Sequence, residues 1–207
     1  IVNWINDYIK SINKGSISLI IGVSGGIDSS VVSTLCAKTG LNTIVISMPI
    51  RQNEQQHLLS LRHIDWLKDN YENVKSYVVN LDNTFKSFKE TLNNFNNDLA
   101  FANSRSRLRM TTLYQIAQYN NGIVVGTGNK VEDFGIGFYT KYGDGGVDIS
   151  PIADCTKTQV WEIGKKLCII QDIIDAKPTD GLWDDNRSDE EQIGLTHKEI
   201  EGVMDNQ

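Results

Sequence analysis

No C-x-x-C pair occurs in this chain of 207 residues, and its three cysteines, Cys36, Cys155 and Cys168, are scattered and odd in number. That excludes a disulfide-stapled framework and fits free thiols in the reducing cytoplasm, where the chain is expected to work. The three histidines, His57, His63 and His197, have no metal-ligand spacing, so no histidine-built metal centre is expected. No apolar run is long enough to cross a membrane, and no secretory signal is visible. Basic residues are in deficit, with a net charge of −6. A nucleic-acid surface therefore has no general support, and neither nucleic acid nor membrane is expected as a partner. The first glycine-rich loop has no lysine after its glycines, which excludes G-x-x-x-x-G-K-[ST], and its spacing is not G-x-G-x-x-G. With 40% hydrophobic residues, the chain can bury one sizeable core, and a single domain over residues 1–207 is expected.

What is present is a strand-to-loop-to-helix transition that organises the rest. The apolar, β-branched run Ile17-Ser18-Leu19-Ile20-Ile21 stops at Gly22-Val23-Ser24-Gly25-Gly26-Ile27, and a helix is expected from about Asp28 to Lys38. Glycines let this backbone approach an anion closely, successive amides form a nest, and the helix start adds its positive end. Ser24, Ser29 and Ser30 add hydroxyls. Asp28 would repel a phosphate held there unless a divalent cation stands between them. Gly22, Val23, Ser24, Gly25, Gly26, Ile27, Asp28 and Ser29 are thus the candidate phosphate-binding stretch, with Asp28 also a candidate metal ligand.

Periodicity sets the frame around it. Val2, Ile5, Ile9 and Ile12 have helical spacing, as do Leu58, Leu61, Ile64 and Leu67. Strands are expected near 17–22, 42–47, 74–79 and 122–126, and helices near 81–93, 98–119 and, after a Thr156 cap, through Leu167. The alternation β-α-β-α-β implies an α/β fold: an open parallel sheet flanked by helices on both faces. In 98–119, Arg105, Arg107 and Arg109 alternate and cannot share one helix face. The fourth strand delivers its loop to the ligand crevice of such a sheet. That long, aperiodic loop is expected to be functional rather than a mere connection. A last helix is expected over 197–205, after Thr196.

Ser24-Gly25-Gly26-Ile27-Asp28-Ser29 resembles the pyrophosphate loop of the N-type ATP pyrophosphatases. The second loop narrows the resemblance. Gly126-Thr127-Gly128-Asn129-Lys130-Val131-Glu132 and Phe138-Tyr139-Thr140-Lys141-Tyr142-Gly143-Asp144-Gly145-Gly146-Val147-Asp148, followed by Lys177-Pro178-Thr179, resemble the signature of the ammonia-dependent NAD synthetases. The resemblance implies the adenine nucleotide α-hydrolase-like, Rossmann-like form of the fold. It implies amidation of deamido-NAD by ammonia at the expense of ATP, through a nicotinate adenylate, with AMP and pyrophosphate released. Mg²⁺ is the implied cofactor, on Asp28 and Glu132. Thr127, Lys157 and Thr179 would join the first loop on ATP; Arg107, Lys141 and Asp148 would hold deamido-NAD. Asp28, Asp144 and Lys157 would serve the chemistry, Asp144 at the ammonium. A homodimer with the dinucleotide near the subunit interface is implied too, and the segment 98–119 is the candidate contact. The family continues past this C-terminus with basic residues, so a tail is expected to be missing; the sequence contains no glutaminase domain.

Two other readings share the first loop. A relative of GMP synthetase or of tRNA-modifying enzymes would adenylate another oxygen, but thiolation calls for cysteines near the site and tRNA for a basic surface. A non-catalytic ATP sensor has no need of Glu132, Lys157 and the 144–148 loop together.

Overall fold

The computed structural model describes residues 1–12, 15–176 and 192–204. Four strands, β1 (Ser18–Gly22), β2 (Thr43–Ser47), β3 (Val74–Val78) and β4 (Gly122–Val124), form one sheet in the order β3-β2-β1-β4. Every pairing is parallel, with Ile20 opposite Ile44 on one side and Val124 on the other. Side chains alternate across the pleat, and the core divides accordingly. Ile20, Ile44, Ile46 and Val124 join Phe85 and Phe101 on one face. On the other face, Leu19 and Ile21 pack with Val31, Val160 and Ile173, and Val45 with Ile64 and Leu67. Both faces are covered, which is why β1 and β2 read as continuous apolar runs.

The helices are α1 (Val2–Ile12), α2 (Ile27–Lys38), α3 (Glu54–Asn70), α4 (Asp82–Thr91), α5 (Asp98–Tyr119), α6 (Lys157–Lys166), α7 (Gln171–Ile174) and α8 (His197–Met204). Their starts follow capping chemistry. Asn53 and Asn97 accept from Gln55 and Ala100 amides, and Thr156 forms a capping box with Gln159. The elements agree with the periodicity, except that β4 ends at Val124 and a 3₁₀ turn at Asn93–Phe95 and a further segment are added. The loop after β4 contains a π-helical segment, Val131–Ile136, ended by left-handed Gly137. Nothing periodic marks it, because one wide turn has no repeating apolar face.

The strand order creates the crevice. From β1 the chain steps outward to β2 and β3, then crosses back to place β4 on the other side of β1. The loops leaving β1 and β4 therefore diverge, and a ligand can enter between them at the carboxyl ends of the strands. No helix among the described residues is long and apolar enough to cross a membrane.

Candidate nucleotide site

A cavity of about 500 Å³ opens at this switch point, lined from both loops, from α5 and from α6. Gly22, Val23, Ser24, Gly26, Ile27, Asp28 and Ser29 all face it. Gly25 faces the other way. Its φ is +91°, and a Cβ there would stand 2.5 Å from the Gln56 carbonyl oxygen and 2.9 Å from the Ser60 nitrogen. The loop thus rests on α3, and only glycine fits at the contact. Gln52, just before α3, donates from Nε2 to the Ser24 carbonyl at 3.1 Å. Gly26 is the N-cap of α2 and offers no side-chain cap. The serines mostly bind the loop itself. Ser29 and Ser30 hydroxyls donate to the Gly26 carbonyl, and Ser30 is fully buried. Ser30 therefore shapes the turn rather than facing the cavity.

Three side chains distant in sequence meet beside this loop. Lys157, in the first turn of α6, places Nζ 2.5 Å from Asp28 Oδ2 and 2.8 Å from Glu132 Oε1. Its side chain is 2% exposed. Asn129 donates to Asp28 Oδ1 and accepts from the Val131 and Glu132 amides, fixing the segment that carries Glu132. Burial alone would raise the Glu132 pKa, but Lys157 and hydrogen bonds from His197 and Asn129 hold it at about 2. Asp28 is raised: burial dominates and Glu132 adds to it, against the pull of Lys157. Burial would discharge Lys157, yet its two acids keep it above the ordinary lysine value. The result is a buried acid–lysine–acid cluster at the edge of the glycine-rich loop.

The donor set fits Mg²⁺. Two hard carboxylates converge on one point, now spanned by an ammonium, and Mg²⁺ commonly takes one or two protein carboxylates with phosphate and water completing its shell. Among the described residues no group of three or more acid, histidine or cysteine side chains could hold a metal.

Thr127 and Lys157 line the cavity with the first loop, whereas Thr179 lies outside the described residues. Asp144 lines it too, and also caps its own turn. Its Oδ1 accepts from Ser106 Oγ at 2.7 Å and from the Thr140 amide at 2.9 Å. Arg107, Lys141 and Asp148 are not part of the cavity wall. Arg107 Nε donates to the Lys141 carbonyl at 3.2 Å, and Lys141 Nζ stands over the Tyr142 ring. Asp148 accepts from the Val124 amide at 2.8 Å and from Tyr114 OH at 3.1 Å. Burial and that neighbouring acid push the Tyr114 pKa up to about 12.

The alternating arginines separate as helical spacing requires. Arg105 is buried over the Phe85 ring, and Arg109, one turn on, lines the cavity and donates to the Met48 carbonyl. Arg107 points about 200° around the helix from its neighbours' face. Arg109 was not singled out by the sequence, and neither was Asp133. Asp133 also lines the cavity, with a pKa raised to about 6, chiefly by burial and then by Asp144, Glu132 and Asp28. Its one sequence signal was the acidic pair it makes with Glu132.

A parallel sheet with a glycine-rich loop at its switch point, facing a lysine held by two acids, defines an α/β protein of the nucleotide-binding class. The chain belongs to the NAD synthase family, which it matches over residues 1–207. It is 38% identical over 212 residues to the NH3-dependent NAD(+) synthetase of Carboxydothermus hydrogenoformans, covering 99% of this chain and 82% of that one. Among solved structures it is similar to the NMN synthetase of Francisella tularensis, with a TM-score of 0.89, 35% identity, and coverage of 100% of this chain and 83% of the other. It is also similar to the NH3-dependent NAD synthetase of Campylobacter jejuni, with a TM-score of 0.74, 28% identity, and coverage of 84% and 72%.

Proposed function

We propose that the chain is a ligase that amidates deamido-NAD with ammonia, using ATP and releasing AMP and pyrophosphate. The observation that carries this reading is Lys157 held between Asp28 and Glu132 beside an anion-binding loop. A carboxylate is a poor nucleophile and a phosphate is anionic, so charge must be neutralised and the partners aligned. The amides of the first loop and the start of α2 would grip the phosphates of ATP. Thr127 would add a hydroxyl donor, and Thr179 is expected to do the same. Asp28 and Glu132 would hold Mg²⁺, whose chemistry would be to neutralise charge on the departing pyrophosphate. Lys157, displaced from the acids it now bridges, would donate to the same oxygens. The nicotinate carboxylate attacks the α-phosphorus, the bond to pyrophosphate breaks, and a nicotinate adenylate remains. Ammonia then attacks the carbonyl carbon and AMP leaves. Asp144 would attract ammonium and accept its proton.

Arg107, Lys141 and Asp148 lie along the outer side of α5 and of the loop that walls the cavity. We infer that they hold deamido-NAD at a homodimer interface formed by α5, in a cytoplasmic enzyme. The test is direct: incubate the protein with deamido-NAD, ATP, Mg²⁺ and ammonium and follow NAD by mass. Equimolar NAD, AMP and pyrophosphate support the reading; ADP as the product, or AMP formed without NAD, overturns it. A second reading has the deamidated mononucleotide as acceptor, favoured by the TM-score of 0.89 to an NMN synthetase. Comparing kcat/KM for mononucleotide and dinucleotide decides between them.

A further inference from the structure

The C-terminal helix reaches both elements that hold the central lysine. Glu201 of α8 places Oε1 2.9 Å from the Thr158 amide and Oε2 2.7 Å from Thr158 Oγ1. Thr158 follows Lys157 in the first turn of α6, where amides have no partner within the helix. Thr156 satisfies the Gln159 amide locally; among the described residues, the Thr158 amide is satisfied from α8. A carboxylate at a helix start is also favoured by the helix dipole.

The same helix closes on the segment that carries Glu132. His197, 2% exposed, stands with Nε2 3.5 Å from Glu132 Oε1 and sets its ring edge-on to Trp161 of α6. Farther along, Met204 and Ile200 approach Gly135 so closely that a Cβ there would sit 2.8 Å from Met204 Sδ. Thr196 and Glu199 bond each other's backbone and fix where α8 begins.

Lys157 is the first residue of α6, so its backbone is held by the helix start rather than by the helix interior. We propose that Glu201 is a positioning residue: through Thr158 it fixes the first turn of α6 and sets Lys157 Nζ between Asp28 and Glu132, making α8 part of the nucleotide site. The catalytic consequence rests on the reading that Lys157 serves ATP; the positioning itself does not.

The test uses the full chain with Glu201→Ala, Glu201→Gln and Thr158→Ala. Lys157 acetylation by an amine-reactive ester is followed by peptide mass mapping, beside kcat, both KM values and thermal unfolding. Wild-type Lys157, 1% exposed, should label more slowly than the exposed lysines. In Glu201→Ala its labelling should rise about 10-fold and kcat fall on the order of 10- to 100-fold, as when a supporting partner is removed from a charged site. The KM for the deamidated nucleotide should not change. Glu201→Gln should stay within roughly 3-fold of wild type, because an amide oxygen can accept from the Thr158 amide and its nitrogen can donate to Thr158 Oγ1. Thr158→Ala, which keeps the backbone bond, should fall between the two. Protected Lys157 in Glu201→Ala, unchanged kcat, equal losses in Ala and Gln variants, or a loss that only tracks unfolding would each overturn the proposal. Should Glu201→Ala not fold, wild-type labelling and kcat in Thr158→Ala would overturn it. If wild-type protein makes no AMP, the functional reading fails, and labelling still decides the positioning.

Discussion

His63 should make this protein acid-sensitive by an amount that can be worked out. It sits on α3 with no exposed surface, facing α2. Its Nε2 is 3.0 Å from Ser33 Oγ, and its ring stacks on Trp66 at 5.6 Å. Nδ1 has no hydrogen-bond partner among the described residues. Burial pushes its pKa from 6.5 down to about 4, against a small opposing pull from the Ser30 backbone. The unfolded chain then binds a proton that the folded chain refuses. Stability is full above the unfolded pKa and falls as pH drops between the two values. At about 1.4 kcal/mol per pH unit of difference, the total effect is about 3 kcal/mol, of which about 2 is lost between pH 7.5 and pH 5. Urea unfolding of wild type and His63→Gln at the two pH values checks this. The wild type should lose about 2 kcal/mol more than the variant on acidification. Equal losses would mean that α2 and α3 open enough for His63 to titrate normally, and the reasoning would be wrong.

Gly25→Ala should destabilise by about 2–5 kcal/mol, combining a left-handed backbone with a collision against α3, while Gly26→Ala, whose Cβ would meet only Ser24 Oγ at 3.4 Å, should unfold within about 1 kcal/mol of wild type; thermal melts separate them. Lys157→Met should abolish AMP formation and cost about 3–5 kcal/mol near neutral pH, since it leaves two buried carboxylates facing each other; wild-type turnover would remove Lys157 from the mechanism. Asp144→Asn keeps an oxygen for Ser106 and Thr140, so the turn should persist while ammonia attack slows more than adenylation. Rapid-quench measurement of pyrophosphate and NAD tests this, and an equal loss of both would leave Asp144 shaping the loop. Arg107→Ala should raise the KM for deamido-NAD, and Arg109→Ala, inside the cavity, that for ATP; the reverse pattern would exchange their assignments.

Much of the frame was legible in local patterning. The run from Ile17 to Ile21 ends at glycines because a strand buried on both faces needs continuous apolar residues and the turn beyond it does not. The helical faces of α3 and α5 and the Thr156 start of α6 follow from spacing and capping decided within a few residues. The expectation that this loop holds an anion was equally local, since it rests on consecutive amides. What the chain could not express locally was decided by tertiary structure. Nothing near Gly25 indicates that α3 will press against it. Asp28 and Lys157 are 129 positions apart, and the packing of α6 on α2, where Gly164 meets Ile27 and Val31, brings them together. Helical spacing says that Arg107 and Arg109 face different ways, but it is the packing of α5 on the sheet that puts Arg109 in the cavity wall and leaves Arg107 outside it. The π-helical turn that aims Glu132 and Asp133 inward has no periodicity of its own, because it is held by Asn129 and by the helix docked against Gly135. Spacing along the chain specifies faces and ends; which faces meet is settled by burial of the whole core, and the charged cluster exists only where those faces meet.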